Sequence, residues 1–102
     1  MNEFNPRRGD VKLALEGCEV VLRPSFGAIV QLEDRFERAI FDVARDFCDG
    51  KLSRAKDFLA IIEIGAAGEM PADLAERLAQ TGLAKLVEPV GKFLAHACGI
   101  EA

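Results

Sequence analysis

The sequence has no tryptophan or tyrosine, one histidine and three cysteines. Cys18, Cys48 and Cys98 are odd in number and lack CxxC spacing, which argues against a disulfide framework and favours reduced thiols that serve as small buried hydrophobes. No recognised zinc-ligand spacing combines them with His96. We therefore expect neither a metal nor a cofactor.

Long apolar runs and an excess of basic residues are also missing. The longest apolar stretch, 58–68, is interrupted by Glu63 and is far shorter than the roughly 18 residues of a membrane span. No apolar stretch follows the N-terminal arginines, so we expect no secretory signal and a cytoplasmic protein. The net charge of −4 disfavours nucleic-acid binding, which depends largely on neutralising phosphates.

Half of the 102 residues are apolar and 29% are charged. This composition is too apolar for a disordered chain, and a domain of this size buries about two-thirds of its unfolded surface. We therefore expect a single domain over residues 10–102. Residues 1–9, with Pro6 and Gly9, are expected to form a loose, flexible N-terminal arm.

Residues 10–23 have the pattern of a β-hairpin. Two stretches of alternating apolar residues flank Glu16-Gly17, a two-residue turn in which the glycine can adopt a positive φ. This loop pairs the apolar side chains across the strands on one surface: Leu15 with Cys18, Leu13 with Val20 and Val11 with Leu22. The other surface pairs Asp10 with Arg23 in contact with solvent. A lone hairpin is marginal in water, so later elements must cover its apolar surface.

Four segments after the hairpin show helical periodicity, at about residues 25–48, 53–66, 71–81 and 83–98. The first has an apolar face that we expect to cover the hairpin: Phe26, Ile29, Leu32, Phe36, Ile40, Val43 and Phe47. Whether this segment is one helix or two broken near Glu37 stays open. The predicted fold class is α+β, an N-terminal antiparallel β-hairpin packed on a bundle of four to five helices.

Local signals mark the ends of these helices. Ser25 and Ser53 are placed to act as N-caps, and Pro71 suits a first helical position. Gly99 is placed as a left-handed cap after the last helix. Pro89 lies inside that helix, so we expect a kink or a break there. The last helix has the most regular apolar pattern: Leu83, Leu86, Val87, Val90, Phe93, Leu94, Ala97 and Cys98.

Candidate catalytic groups are scarce. His96 is a candidate general base, but His96 and Cys98 project about 200° apart on a helix and cannot pair, so we expect a partly exposed helical histidine. Gly65 and Gly68 lack the order of a phosphate-binding loop. Six acids and three arginines within residues 25–50 predict either a solvated helix face or a surface that steers a basic partner. Catalysis is therefore the last of our hypotheses.

Four features, in a fixed order, resemble one family of proteins from tailed phages and gene transfer agents. They are Arg8-Gly9-Asp10 before the hairpin, the segment from Leu22 to Phe36, the helix start from Leu52 to Leu59, and the C-terminal block from Thr81 to Ala97. The resemblance covers about residues 7–99. This family is the short protein encoded between the major tail protein and the tape-measure protein, called a tail tube protein or a tail assembly chaperone. The glycine usual after its Leu-Glu-Asp-x-Phe unit is here Glu37 or Arg38.

The resemblance implies a non-enzymatic role in building a phage-like tail. Such chaperones are thought to coat the long apolar tape-measure helix until tube subunits polymerise around it, so the expected partners are the tape-measure protein and tail tube subunits. The segment 53–66 is apolar around nearly its whole circumference, and we expect Leu59 and Ile64 to be its partner-binding part. That these two side chains simply complete the core stays open. Met70 and Phe93 are expected in the core.

A structural subunit of the tail tube is the alternative function, since one family name suggests it. We rank it second because a tube needs self-complementary surfaces, which large closed sheets usually supply. A regulatory or adaptor domain is a third hypothesis. A chaperone is expected in the cytoplasm during assembly, and a tube subunit in the virion. Homo-oligomerisation, the client segment, and an origin in a phage, a prophage or a gene transfer agent stay open at this stage.

Overall fold

A computed structural model describes residues 4–68 and 70–100. Within these residues a β-hairpin is followed by five helices, as the α+β prediction requires. The elements are β1 (Val11–Leu15), β2 (Cys18–Leu22), α1 (Phe26–Phe36), α2 (Ile40–Cys48), α3 (Ala55–Gly65), α4 (Leu74–Thr81) and α5 (Leu83–Ala97).

The predicted hairpin register is confirmed. Leu15 pairs with Cys18, and the pairs Leu13–Val20 and Val11–Leu22 follow along the ribbon. Gly17 has a φ of 80°, which the tight turn requires. The apolar surface is buried as expected, and Leu22 is fully buried.

The helices that cover the hairpin differ from the prediction. α5 and α4 pack against β1 and α3 packs against β2, whereas α1 packs mainly on α2 and α3. Phe26, expected on the hairpin, is 81% exposed. α5 covers the hairpin in place of α1, since the inward face of α5 is entirely apolar and fully or almost fully buried. That face comprises Leu86, Val90, Phe93 and Leu94.

Residues 25–48 form two helices, which settles the alternative left open by the pattern. α1 ends at Phe36 and is capped by Glu37, whose φ of 53° places it in the left-handed region. The Glu33 carboxylate then accepts a hydrogen bond from the Ile40 amide at 2.9 Å, at the start of α2. Glu37 therefore adopts a conformation in which glycine would avoid the steric penalty of a Cβ.

The predicted helix caps are partly right. The Ser25 hydroxyl accepts from the Ala28 amide at 3.1 Å, as expected. The prediction that Ser53 is the N-cap is wrong, because its hydroxyl donates to the Gly50 carbonyl and α3 begins only at Ala55. The Asp57 carboxylate, from the first turn of α3, accepts from the Arg54 amide at 3.2 Å instead.

Proline and glycine positions refine the later helices. Pro71 does not begin α4, since its carbonyl accepts from the Leu74 amide in a turn that precedes the helix. α5 runs unbroken through Pro89, so the break is excluded and the kink remains a prediction. Gly99 adopts the predicted left-handed conformation, and the Ile100 amide donates to the Ala95 carbonyl across this cap.

The N-terminal segment is more structured than a loose arm. Pro6–Arg8 form a short 3₁₀ turn that is capped by Asn5 and closed by Gly9. The part of the expected arm at residues 1–3 lies outside the described residues.

Asp10 joins this turn to the hairpin. Its carboxylate accepts from the Asn5 amide at 2.8 Å and from both Nε and Nη2 of Arg23, at 2.9 and 2.8 Å. The predicted pairing of Asp10 with Arg23 is correct, but Asp10 is 3% exposed rather than in contact with solvent. Asp10 therefore links the residue that caps the 3₁₀ turn, Asn5, to Arg23, which directly follows β2.

Candidate partner-binding surface

An apolar groove lies between α3 and α4, where the two helices do not close on each other. α3 packs on α1, α5 and β2, whereas α4 packs on α5 and β1. The groove has a volume of about 490 Å³. Its lining residues come from α3, α4 and the first turn of α5: Ala55, Lys56, Leu59, Ala75, Leu78, Ala79 and Leu83.

The sequence explains why this groove is open. Residues four apart on a helix lie on one face, so Ala75 and Ala79 form one wall opposite Ala55 and Leu59. Alanine side chains end at Cβ and cannot bridge the space between the two helices. Leu78, which is buried, also lines the groove. This arrangement provides an apolar channel in which Lys56 is the only charged lining residue among those that the structure describes.

The two predicted partner-binding residues lie in different environments. Leu59 is half-buried and lines the groove. Ile64 is also half-buried and, like Leu59, packs against the core, but it is not part of the groove lining. Leu59 and Ile64 are five residues apart on α3 and therefore project about 140° from each other. Their role in binding a partner remains a prediction for both.

Further apolar side chains are exposed elsewhere, and the sequence analysis missed them. Phe26 on α1, Phe41 on α2 and Val87 on α5 are 81%, 64% and 50% exposed. The exposure of Phe26 is visible on a helical wheel, because this residue projects about 120° from the centre of the buried face of α1. Leu83 and Met70, both expected inside, are also partly exposed, whereas Phe93 is buried as predicted.

The histidine and the cysteines do not form a reactive cluster. His96 is half-buried, and its Nδ1 lies 2.8 Å from the Gly9 carbonyl oxygen. Burial, with a smaller contribution from Cys48, raises the pKa of the Cys98 thiol, which disfavours the reactive thiolate. Cys48 is exposed, contrary to the prediction of buried thiols. Within residues 4–68 and 70–100, no group of three or more potential ligands could hold a metal ion.

Three of the six acids between residues 25 and 50 make contacts within the protein. Asp46 is buried and pairs with Arg38, and Asp42 pairs with Arg45. Glu33 contacts the first amide of α2, as described above. Two of these contacts, from Glu33 and Asp46, fix the turn between α1 and α2.

Polar contacts also hold α4 to the hairpin turn. Arg77 donates to the Glu16 carbonyl at 2.8 Å and forms an ion pair with Asp73 on its other side. The Thr81 hydroxyl accepts from the Glu16 amide at 2.9 Å. These contacts keep α4 against the hairpin and away from α3, which preserves the groove.

No helix of the described part of the chain combines the length and apolar character needed to cross a bilayer. Searches among curated proteins and among solved structures find no match. A family model described as "Phage tail tube protein, GTA-gp10" matches residues 8–99, which includes the hairpin and all five helices. The resemblance to a phage and gene-transfer-agent tail family is thereby confirmed. The chain belongs to the phage tail tube protein family GTA-gp10.

Proposed function

We propose that this protein is a non-enzymatic tail assembly chaperone that holds an apolar helical segment of the tape-measure protein in the groove between α3 and α4. The observation that carries the proposal is the groove itself, which is apolar and contains the predicted contact residue Leu59. Grooves of this kind accept amphipathic helices, whose side chains at three- and four-residue spacing enter the channel.

Membership of a tail family supplies the choice of partner. A tape-measure protein is expected to be long, helical and apolar, and such a chain needs cover until the tube forms. Leu59 supplies apolar contact in the groove, while the exposed alanines Ala75 and Ala79 leave room for the client's side chains. Binding would occur in the cytoplasm during assembly, with tube subunits later displacing the chaperone.

The proposal is tested with overlapping helical fragments of the tape-measure protein encoded in the same gene cluster. Isothermal titration calorimetry with the full chain should identify a fragment that binds. Ala79→Glu should abolish this binding, because a carboxylate would then lie on the apolar wall of the groove. Ala79 is exposed in the free protein, so the fold should tolerate the change.

The matched control is Gln80→Glu, which adds the same charge at the next residue. Gln80 is exposed and is not part of the groove lining, so binding should persist. The proposal fails if no fragment binds, or if both substitutions weaken binding equally.

A structural subunit of the tail tube is the second candidate, and the family description favours it. Exposed Phe26, Phe41 and Val87 lie on three different helices, as contacts with several neighbours would require. Electron microscopy of the concentrated protein distinguishes the two functions. A tube subunit should form rings or tubes and remain in the virion, whereas a chaperone should stay small.

A further inference from the structure

The backbone groups of β1 alternate between its partner strand and its open edge. Leu15 and Cys18 flank a two-residue loop and form a hydrogen-bonded pair, so Leu13 and Val11 also direct their backbone groups to β2. The backbone groups of the intervening residues, Lys12 and Ala14, therefore point away from the hairpin.

The corresponding edge of β2 is closed by the protein itself at its C-terminal end. The Ala67 amide donates to the Val21 carbonyl at 2.8 Å, and the Arg23 amide donates to the Gly65 carbonyl at 2.8 Å. Leu22 and Ala66 form an antiparallel bridge in the same place. The segment after α3 thus acts as a short third strand beside β2.

The edge of β1 is closed only at its two ends. The Asp10 amide donates to the Asn5 carbonyl at 3.3 Å, and the Glu16 amide donates to the Thr81 hydroxyl at 2.9 Å. Between them, the N–H and C=O groups of Lys12 and Ala14 make no hydrogen bond to any other described residue. Both residues are exposed, so this edge offers two donors and two acceptors to solvent.

Positive charge surrounds the start of this open edge. Lys12 lines a groove of about 290 Å³ with Lys92 and Glu88 of α5. Lys92 also lines the adjoining pocket, of about 450 Å³, with Arg7 and Arg8. These four cations take part in no salt bridge between described residues, although Arg8 also attracts the buried Asp10. In a chain of net charge −4, they form a local basic region.

We propose that β1 accepts an extended, acidic segment of a partner protein as an added strand. The segment would pair its backbone with Lys12 and Ala14 through about four hydrogen bonds, as in other cases of strand addition. Its carboxylates would meet Lys12, Lys92 and the arginines of the 3₁₀ turn. This surface is separate from the groove between α3 and α4 and does not depend on the proposed chaperone function.

The charge at the edge favours an acidic partner over a second copy of the chain. In a symmetric antiparallel pairing of two β1 strands centred on Leu13, each Lys12 lies opposite the Ala14 of the other copy. The two lysines are then diagonal neighbours, about 7–8 Å apart, and repel each other. A strand with a carboxylate at this place forms a favourable cross-strand pair instead.

Peptide titrations of the ¹⁵N-labelled full chain test this proposal by NMR. The probe is a blocked seven-residue peptide that alternates glutamate and threonine, and the control alternates lysine and threonine. The acidic peptide should shift the amide signals of Lys12 and Ala14 most, and the lysine peptide should not bind. Lys12→Glu should weaken binding about fivefold, as expected when a cross-strand charge pair becomes repulsive, and Lys92→Glu should weaken it through the reversed charge beside the edge.

Ala14→Pro tests the backbone pairing itself. It removes an outward N–H without removing a hydrogen bond between β1 and β2, and it should abolish peptide binding. Glu19→Pro is the matched control, because Glu19 pairs with Ala14 but faces the other edge of the hairpin. Circular dichroism checks folding, and the lysine variants keep the test decisive if the proline variants unfold.

Three results would overturn the proposal. The first is binding of the acidic peptide that neither Ala14→Pro nor the lysine substitutions reduce. The second is equal binding of both peptides. The third is a dimer of the free protein that Ala14→Pro dissociates, since the open edge would then belong to a second copy.

Discussion

The hairpin side of the molecule and the α3–α4 side are built on different principles. At the hairpin, apolar burial is reinforced by directional contacts: Asp10 with Arg23, Arg77 with the Glu16 carbonyl, and Thr81 with the Glu16 amide. Across the groove, the walls are alanine and leucine side chains, with Lys56 as the one lining residue of the described chain that carries a polar side-chain group. From this contrast we expect the hairpin contacts to contribute more to stability than the groove walls, and we propose that the groove side accepts the partner.

Truncation of one leucine on each side should give the largest difference. Leu22→Ala removes a fully buried side chain beneath the hairpin and should lower the free energy of unfolding by about 3 kcal/mol. Leu59→Ala removes a half-buried side chain and should cost about 1 kcal/mol. Urea denaturation measures both values. Equal losses would contradict the division between a stabilising side and a binding side.

The buried ion pair of the hairpin side should appear in the pH dependence of stability. Burial alone would raise the pKa of Asp10, but hydrogen bonds from Arg23 and Asn5, with the positive charges of Arg23 and Arg8, hold it below its ordinary value of 3.8. A lowered pKa in the folded state gives stability that is complete above the ordinary value and is lost as the pH falls through the folded-state pKa.

Asp10→Asn should therefore cost about 2 kcal/mol near pH 7 and less at low pH, where the wild type also loses its ionised carboxylate. Urea denaturation between pH 2 and pH 7 provides the measurement. Asp34→Asn, at an exposed acid without a salt bridge to any described residue, is the control and should follow the wild-type curve. Parallel curves for wild type and Asp10→Asn would show that the ion pair does not set the pH dependence.

Alanine substitution of one glycine in α3 and one in α5 tests how closely the two helices pack on their neighbours. A Cβ at Gly65 would lie 2.6 Å from Cζ of the buried Phe93, so Gly65→Ala should destabilise the protein by about 1–2 kcal/mol despite the better helix propensity of alanine. A Cβ at Gly91 meets Phe47 at an ordinary 3.6 Å, so Gly91→Ala should stabilise it by about 0.5–1 kcal/mol. Thermal denaturation measures the change in stability of both variants. Changes of the same sign would contradict the difference in space at the two glycines.

The smallest effect is expected at the turn between α1 and α2. Glu37→Gly should stabilise the protein by about 0.5 kcal/mol, because glycine removes the strain of the left-handed conformation at some cost in chain entropy. Arg38→Gly should destabilise it instead, since Arg38 pairs with Asp46 and donates to the Phe36 carbonyl. Chemical denaturation of the two variants tests which position is the natural site for glycine.

Local sequence signals were sufficient for the hairpin and for several helix ends. The two-residue loop and the alternation of apolar residues determine the register, because a slip by one residue would turn the apolar side chains of one strand to the solvent face. Ser25 and Gly99 act as caps through contacts within a few residues, so their role is readable from neighbours in the chain.

The contacts between helices and the hairpin could not be predicted from local sequence signals. Helical periodicity shows that a face is buried but not against which element, so α1 was assigned to the hairpin in place of α5. The groove was missed for the same reason. Ala75 and Ala79 look unremarkable on a single helix, and the space they leave exists only because α4 is held to the hairpin through Arg77 and Thr81.

Hydrogen–deuterium exchange of the full chain, with and without a tape-measure fragment that binds it, tests the central claim most directly. The account predicts slower exchange of the amides of α3 and α4 around Leu59 and Ala79, with unchanged exchange at Lys12 and Ala14. Protection confined to the hairpin, with α3 and α4 unaffected, would contradict the assignment of the groove as the binding site.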